Sequence, residues 1–153
     1  MTFPPGVFSA EGTPFAQVID YVPPWLPGRV LTLSLSGSCV GGDFLEVAGD
    51  GLVAVCVTAA SRAFIGVAGM NVPSPGPGRV TVYGRGPVHE SVCDGPVTAG
   101  QQVVTSATPG RQVAAVAAPA SPPTQADVNN SRAILGIALT SAPDAVKCRW
   151  MQI

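Results

Sequence analysis

The stretch Ser61-Arg62-Ala63-Phe64-Ile65-Gly66-Val67-Ala68 returns, seventy residues on, as Ser131-Arg132-Ala133-Ile134-Leu135-Gly136-Ile137-Ala138. Ser, Arg, Ala, the Gly and the last Ala are identical, and the three differences each exchange one hydrophobe for another. A repeated β-rich segment of this kind predicts two similar halves. The flanks support it. Upstream, Gly42-Asp43-Phe44-Leu45-Glu46-Val47 parallels Gly100-Gln101-Gln102-Val103-Val104-Thr105. Each is followed by a Gly-containing turn and a Val/Ala run, at 52–55 and 112–116. Downstream, 80–83 parallels 146–149. The repeats run from about 41 to 83 and from about 99 to 151, and each reads strand, turn, strand, strand, loop, strand. Two copies do not make a solenoid; they suit one closed β-structure.

Period-2 alternation supports strands elsewhere. Leu31, Leu33 and Leu35 alternate with Thr32, Ser34 and Ser36, the pattern of a half-buried strand. Asp50-Gly51 between two apolar runs supplies the positive φ of a tight hairpin. Further runs lie at 64–70, 80–83, 88–92, 102–105, 112–116, 134–139 and 146–151. Many short strands separated by turn residues predict an all-β fold, a compact barrel or sandwich. One helix is expected, over 124–130, with Thr124 as its cap. Residues 117–123 are rich in Ala and Pro and read as a linker.

Residues 1–28 differ from the rest. They hold Pro4, Pro5, Pro14, Pro23, Pro24 and Pro27 together with Phe3, Phe8, Phe15, Tyr21 and Trp25. Proline removes backbone donors and blocks regular helix. The segment is expected to be an extended N-terminal arm ahead of a β-domain at 29–153. Phe3, Phe8, Phe15 and Trp25 are its candidate partner-binding anchors, or alternatively cover the protein's own core.

Charged residues are 11% of the 153-residue chain, against roughly 25% in an average globular domain. The chain is also rich in Gly (18) and Pro (16), yet its 46% hydrophobic content gives it a core to bury. A surface with so few charges is expected to be partly hidden by other subunits. The eight Lys and Arg are scattered, without the basic stripe that nucleic-acid binding requires. No apolar run reaches the roughly 18 residues of a membrane span, and residues 1–10 lack the basic and apolar blocks of a signal peptide.

Catalytic chemistry finds little support. The single histidine, His89, must serve any triad, and Cys93 lies four residues away on one extended segment. At ~3.3 Å per residue that is about 13 Å, too far for a nucleophile and its base. His89, Glu90 and Asp94 are a conceivable metal set, but a solvated strand end explains them better. Asp43, Glu46 and Asp50 are a conceivable carboxylate set, but they sit at a hairpin turn where Asp is common for conformational reasons. Cys39, Cys56, Cys93 and Cys148 contain no C-x-x-C pair and are expected to be reduced core residues, not zinc ligands. Asn129-Asn130-Ser131 matches a glycosylation pattern that carries no meaning without secretion. No cofactor and no enzymatic activity are expected.

The second half has a further cadence. Thr98-Ala99-Gly100-Gln101-Gln102-Val103-Val104 opens a strand and Gly110-Arg111-Gln112-Val113 follows a turn. Then come Ile134-Leu135-Gly136-Ile137-Ala138-Leu139 and a closing run at 146–153. Over residues 38–153 this resembles the small tailed-phage head proteins of the capsid decoration (cement) family. The arm at 1–28 and the linker at 117–130 lie outside the resemblance. What the resemblance implies is a structural virion protein on the outer surface of an icosahedral capsid. It implies a homotrimer on the major capsid protein that stiffens the shell against internal DNA, assembled in the host cytoplasm. The family has no catalytic residues to carry over. Two other readings stay open: another virion β-module such as a tail or fibre component, and a small hydrolase with an unrecognised site.

Overall fold

The computed structural model describes residues 30–74 and 78–153. Five strands make the first half: β1 (Val30–Leu35), β2 (Phe44–Gly49), β3 (Leu52–Val55), β4 (Phe64–Ala68) and β5 (Arg79–Tyr83). They close into a barrel of order β1-β3-β2-β4-β5. All neighbours are antiparallel except β1 and β3, which run parallel with Ser34 beside Leu52 and Leu35 beside Val53. Gly51 turns the β2–β3 hairpin at φ 71°, the left-handed conformation the Asp50-Gly51 pair predicts.

Five more strands make the second half: β6 (Val88–Val92), β7 (Gln102–Thr105), β8 (Val113–Ala115), β9 (Gly136–Ala138) and β10 (Lys147–Gln152), in the order β6-β10-β9-β7-β8. Read in the reverse direction around the ring, this is the barrel's order with every strand advanced by five, opened between β6 and β8. The parallel closure is present as well, reduced to one bridge between Cys93 and Val113. The second half is therefore the same barrel with a loosened seam. The structural repeat begins one strand earlier than the sequence limits of 41 and 99, because β1 and β6 are equivalent yet share no sequence signal.

Backbone and side-chain hydrogen bonds repeat in detail. Cys39 and Val72 exchange two backbone bonds, as do Val97 and Ala142. The Val40 amide donates to the Asp43 carboxylate at 2.8 Å, and the Thr98 amide to the Gln101 side-chain oxygen at 2.7 Å. The Gly41 amide donates to Asn71 and the Ala99 amide to Ser141. Gly66 and Gly136 occupy matching sites for a shared steric reason. A Cβ on Gly66 would lie 2.3 Å from the Tyr83 carbonyl oxygen, and one on Gly136 1.9 Å from that of Met151. Only glycine lets β4 and β9 approach β5 and β10 so closely.

The barrel interior is filled by Leu35, Cys39, Leu45, Val53, Ala68, Met70, Val72, Val80 and Val82. The matching interior of the second half holds Cys93, Val97, Val103, Val113, Ala138, Ala142, Cys148 and Trp150, with Leu135 added. Of the alternating leucines in β1, Leu35 is buried and Leu33 half-buried, but Leu31 stays 38% exposed. β3 reaches only the Ser34–Leu35 end of β1, so the other end projects past it.

The expected helix is α1 (Gln125–Ser131). Its cap is a reciprocal box: Thr124 Oγ1 accepts from the Asp127 amide, and the Asp127 carboxylate accepts from the Thr124 amide at 2.6 Å. The helix buries none of its residues. Among the described residues, no helix is long and apolar enough to cross a membrane.

Candidate functional site

The two halves join through one barrel's outside and the other's inside. On β2, β4 and β5, Phe44, Val67 and Tyr83 point out of the first barrel, in register with one another. All three are buried. Phe44 and Val67 belong to the hydrophobic cluster of the second half, around Trp150. Trp150 stands where the first barrel has Val82. The larger ring fills the looser second half and meets Phe44 edge to face, with centroids 5.5 Å apart. Its indole Nε1 donates to Ser91 Oγ at 2.9 Å, so the buried polar end is satisfied.

His89 lies in this junction. Its ring is fully buried, 5.0 Å from Trp150 and 6.4 Å from Tyr83, centroid to centroid. Its Nε2 is 2.9 Å from the Gln152 side-chain oxygen. Burial pushes its pKa down to about 4, opposed by the Gln152 bond. His89 is thus a neutral interior histidine at physiological pH. Glu90 points the other way along the strand and accepts from Arg149 Nε at 2.8 Å. Asp94 accepts from Ser106 and Thr108, and these bonds lower its pKa. The candidate metal set is therefore split among three structural tasks. Among the described residues no cluster of three or more His, Cys, Asp or Glu has metal-binding geometry.

The second carboxylate set is divided in the same way. Asp43 caps its own turn through the Val40 amide. Glu46 accepts from Ser61 Oγ, Thr58 Oγ1 and Cys56 Sγ, tying the 56–61 loop to β2. Asp50 sits at the exposed hairpin tip. The four cysteines are free thiols, and all but the half-buried Cys56 are buried. Burial pushes Cys39 up to about 11, and burial with Cys93 alongside pushes Cys148 up to about 12. Protonated interior thiols are poor nucleophiles.

A cleft of about 410 Å³ runs between the halves, lined by 41–44 and 55–57 on one side and by Glu90, Val92, 106–112 and Lys147 on the other. Gln112 holds this seam. Its side-chain amide donates to the Gly42 carbonyl at 2.7 Å, and its side-chain oxygen accepts from the Val92 amide at 3.1 Å. Nothing local in the sequence marks Gln112, since its role depends on a contact 70 residues away. The sequence-predicted anchors Phe3, Phe8, Phe15 and Trp25 lie outside the described residues.

No protein-family model matches the sequence, and no curated protein matches it. A solved structure does share its fold: the head fiber gp8.5 N base of bacteriophage phi29. The two superpose with a TM-score of 0.51 at 13% sequence identity, over 82% of this chain and 93% of that one. The likeness is one of fold.

Proposed function

We propose that this chain is a structural protein of a bacteriophage head, carried on the outer surface of the capsid and stabilising it as a homotrimer. The observation that carries the reading is the shared fold. A module from the base of a phage head fibre is matched along nearly its whole length, by a chain whose own sequence cadence resembles capsid decoration proteins. The interior supports a structural role. His89, Glu46 and Asp94 are each spent on holding the two halves or their loops in place. The partners in this reading are the major capsid protein and further copies of the same chain. Assembly takes place in the host cytoplasm, and neither cofactor nor catalysis is involved.

A second reading, the base module of a head fibre, is favoured by the identity of that structural neighbour. Both readings place the chain on the capsid surface, and they differ in what it carries. The test is co-sedimentation of the purified protein with shells of the major capsid protein of its own phage, before and after shell expansion. Saturable binding at a fixed ratio, with raised thermal resistance of the shell, is expected of a decoration protein. Binding at a small number of sites without added shell stability identifies a fibre base. Absence of binding to either shell form refutes both.

A further inference from the structure

Two apolar patches, one on each half, are left uncovered among the described residues. The first is the tip of the β2–β3 hairpin, where Leu52, 41% exposed, lies on the outer face beside Asp50, and Val47, 52% exposed and in register with Val53, lies on the other face. The second is the outer face of the second sheet. Ile137, Met151 and Val88 stand in register across β9, β10 and β6. Met151 is 38% exposed, and Leu139 and Ile153 beside it are each 47% exposed.

The second patch is the counterpart of a face the chain already uses. Ile137 and Met151 hold the positions that Val67 and Tyr83 hold in the first barrel, and there the face is buried against the second half. One repeat further along, the same face is only partly covered among the described residues: Val88 and Ile137 are half-buried and Met151 is exposed. Repeating the internal contact would set this face against the first barrel, which is closed and already filled by Val80 and Val82. The hairpin tip offers a projecting element instead. The charges match as well. Lys147 lies on the exposed face of β10, where Arg149 is already paired with Glu90, and Asp50 stands at the hairpin tip. Among the described residues neither Asp50 nor Lys147 forms an ion pair.

We infer that the two patches meet between subunits: the β2–β3 tip of one copy lies across the β9-β10-β6 face of the next, with Asp50 beside Lys147. Two different patches in contact form a heterologous interface, which closes into a ring when the rotation allows. The inference rests on the trimer reading above and names the surfaces that build it.

Sedimentation of the full chain over a range of concentrations tests it. The wild type is expected to run as a trimer. Met151→Glu and Leu52→Glu, each with an unchanged circular dichroism spectrum, are expected to run as monomers. Asp50→Lys is expected to weaken association several-fold, and adding Lys147→Asp to restore it, because complementary charge sets pairing. If either Glu variant fails to fold, the charge exchange alone decides. A trimer that persists in the folded Glu variants, or a charge exchange without rescue, overturns the inference and leaves the trimer standing. A wild type that is monomeric in solution and on shells overturns the trimer itself, and the inference with it.

Discussion

The rings of Phe44 and Trp150 meet edge to face at 63°, although one belongs to the outside of the first barrel and the other to the inside of the second. That contact packs the two halves against each other. Trp150→Ala is expected to cost about 3–5 kcal/mol, the range for removing a fully buried large ring. Phe44→Leu should cost less, and the double variant less than the sum, by about 0.5–1.5 kcal/mol for the lost ring pair. Urea unfolding of the four proteins measures the cycle. Additive losses would mean that the rings contribute through buried area alone.

Gly66→Ala and Gly136→Ala should each destabilise by about 1–3 kcal/mol or more, since the new methyl meets backbone rather than a movable side chain. Gly49→Ala is the control, as a Cβ there meets nothing within 4 Å. Thermal unfolding of the three variants is the measurement. Similar losses at 66 and 136 with little change at 49 are expected. A near-neutral Gly136→Ala would contradict the close approach of β9 to β10.

His89 makes stability fall in mild acid. Its pKa is lowered from 6.5 to about 4 in the folded protein, so the unfolded chain takes up a proton first as pH drops. The contribution is fully present above pH 6.5 and is lost progressively down to about pH 4, amounting to roughly 3 kcal/mol. The lowered Asp94 and Asp127 carboxyls act below their ordinary value of 3.8, outside this window. Denaturant titrations at pH 7.5 and 4.5 should show the loss in the wild type. His89→Gln, which cannot titrate, should show a much smaller one.

Glu90→Gln and Cys93→Ala are expected to leave shell binding unchanged. Glu90 and Arg149 form a largely exposed pair, whose removal is worth about 1 kcal/mol at most. Cys93 is an interior thiol, and its loss is felt as packing. A folded variant of either kind that no longer binds shells would place function at a residue assigned here to structure.

The N-terminal aromatics make a separate prediction. A variant beginning at Gly28 is expected to fold into the same β-structure but to bind shells more weakly, as Phe3, Phe8, Phe15 and Trp25 are removed together. Burial of one such ring stabilises a contact by roughly 1.5–3 kcal/mol. Unchanged shell affinity would make the segment dispensable. Failure to fold would assign it to the core.

Strands, turns and repeat were legible in the sequence because each has a local cause. The strand at 30–35, the Asp50-Gly51 turn, the Thr124 cap and the shared Gly-x-Ala step act over a few residues, and the structure keeps them. The shared Ser-Arg-Ala step is not kept, since Ser61 is buried in a loop against Glu46 and Ser131 ends the exposed helix. Gly66 and Gly136 were visible as a matched pair, though the carbonyls that require them were not. What only the tertiary structure decided is which faces are covered. Phe44 and Gln102 begin equivalent strands, as do the runs containing Val67 and Ile137, yet one outer face is an internal junction and the other is exposed. A period-2 pattern records that a strand has two faces. It carries no information about what distant chain arrives to bury them. That depends on Trp150, inside one half, meeting Phe44 on the back of the other, a contact spanning more than a hundred residues.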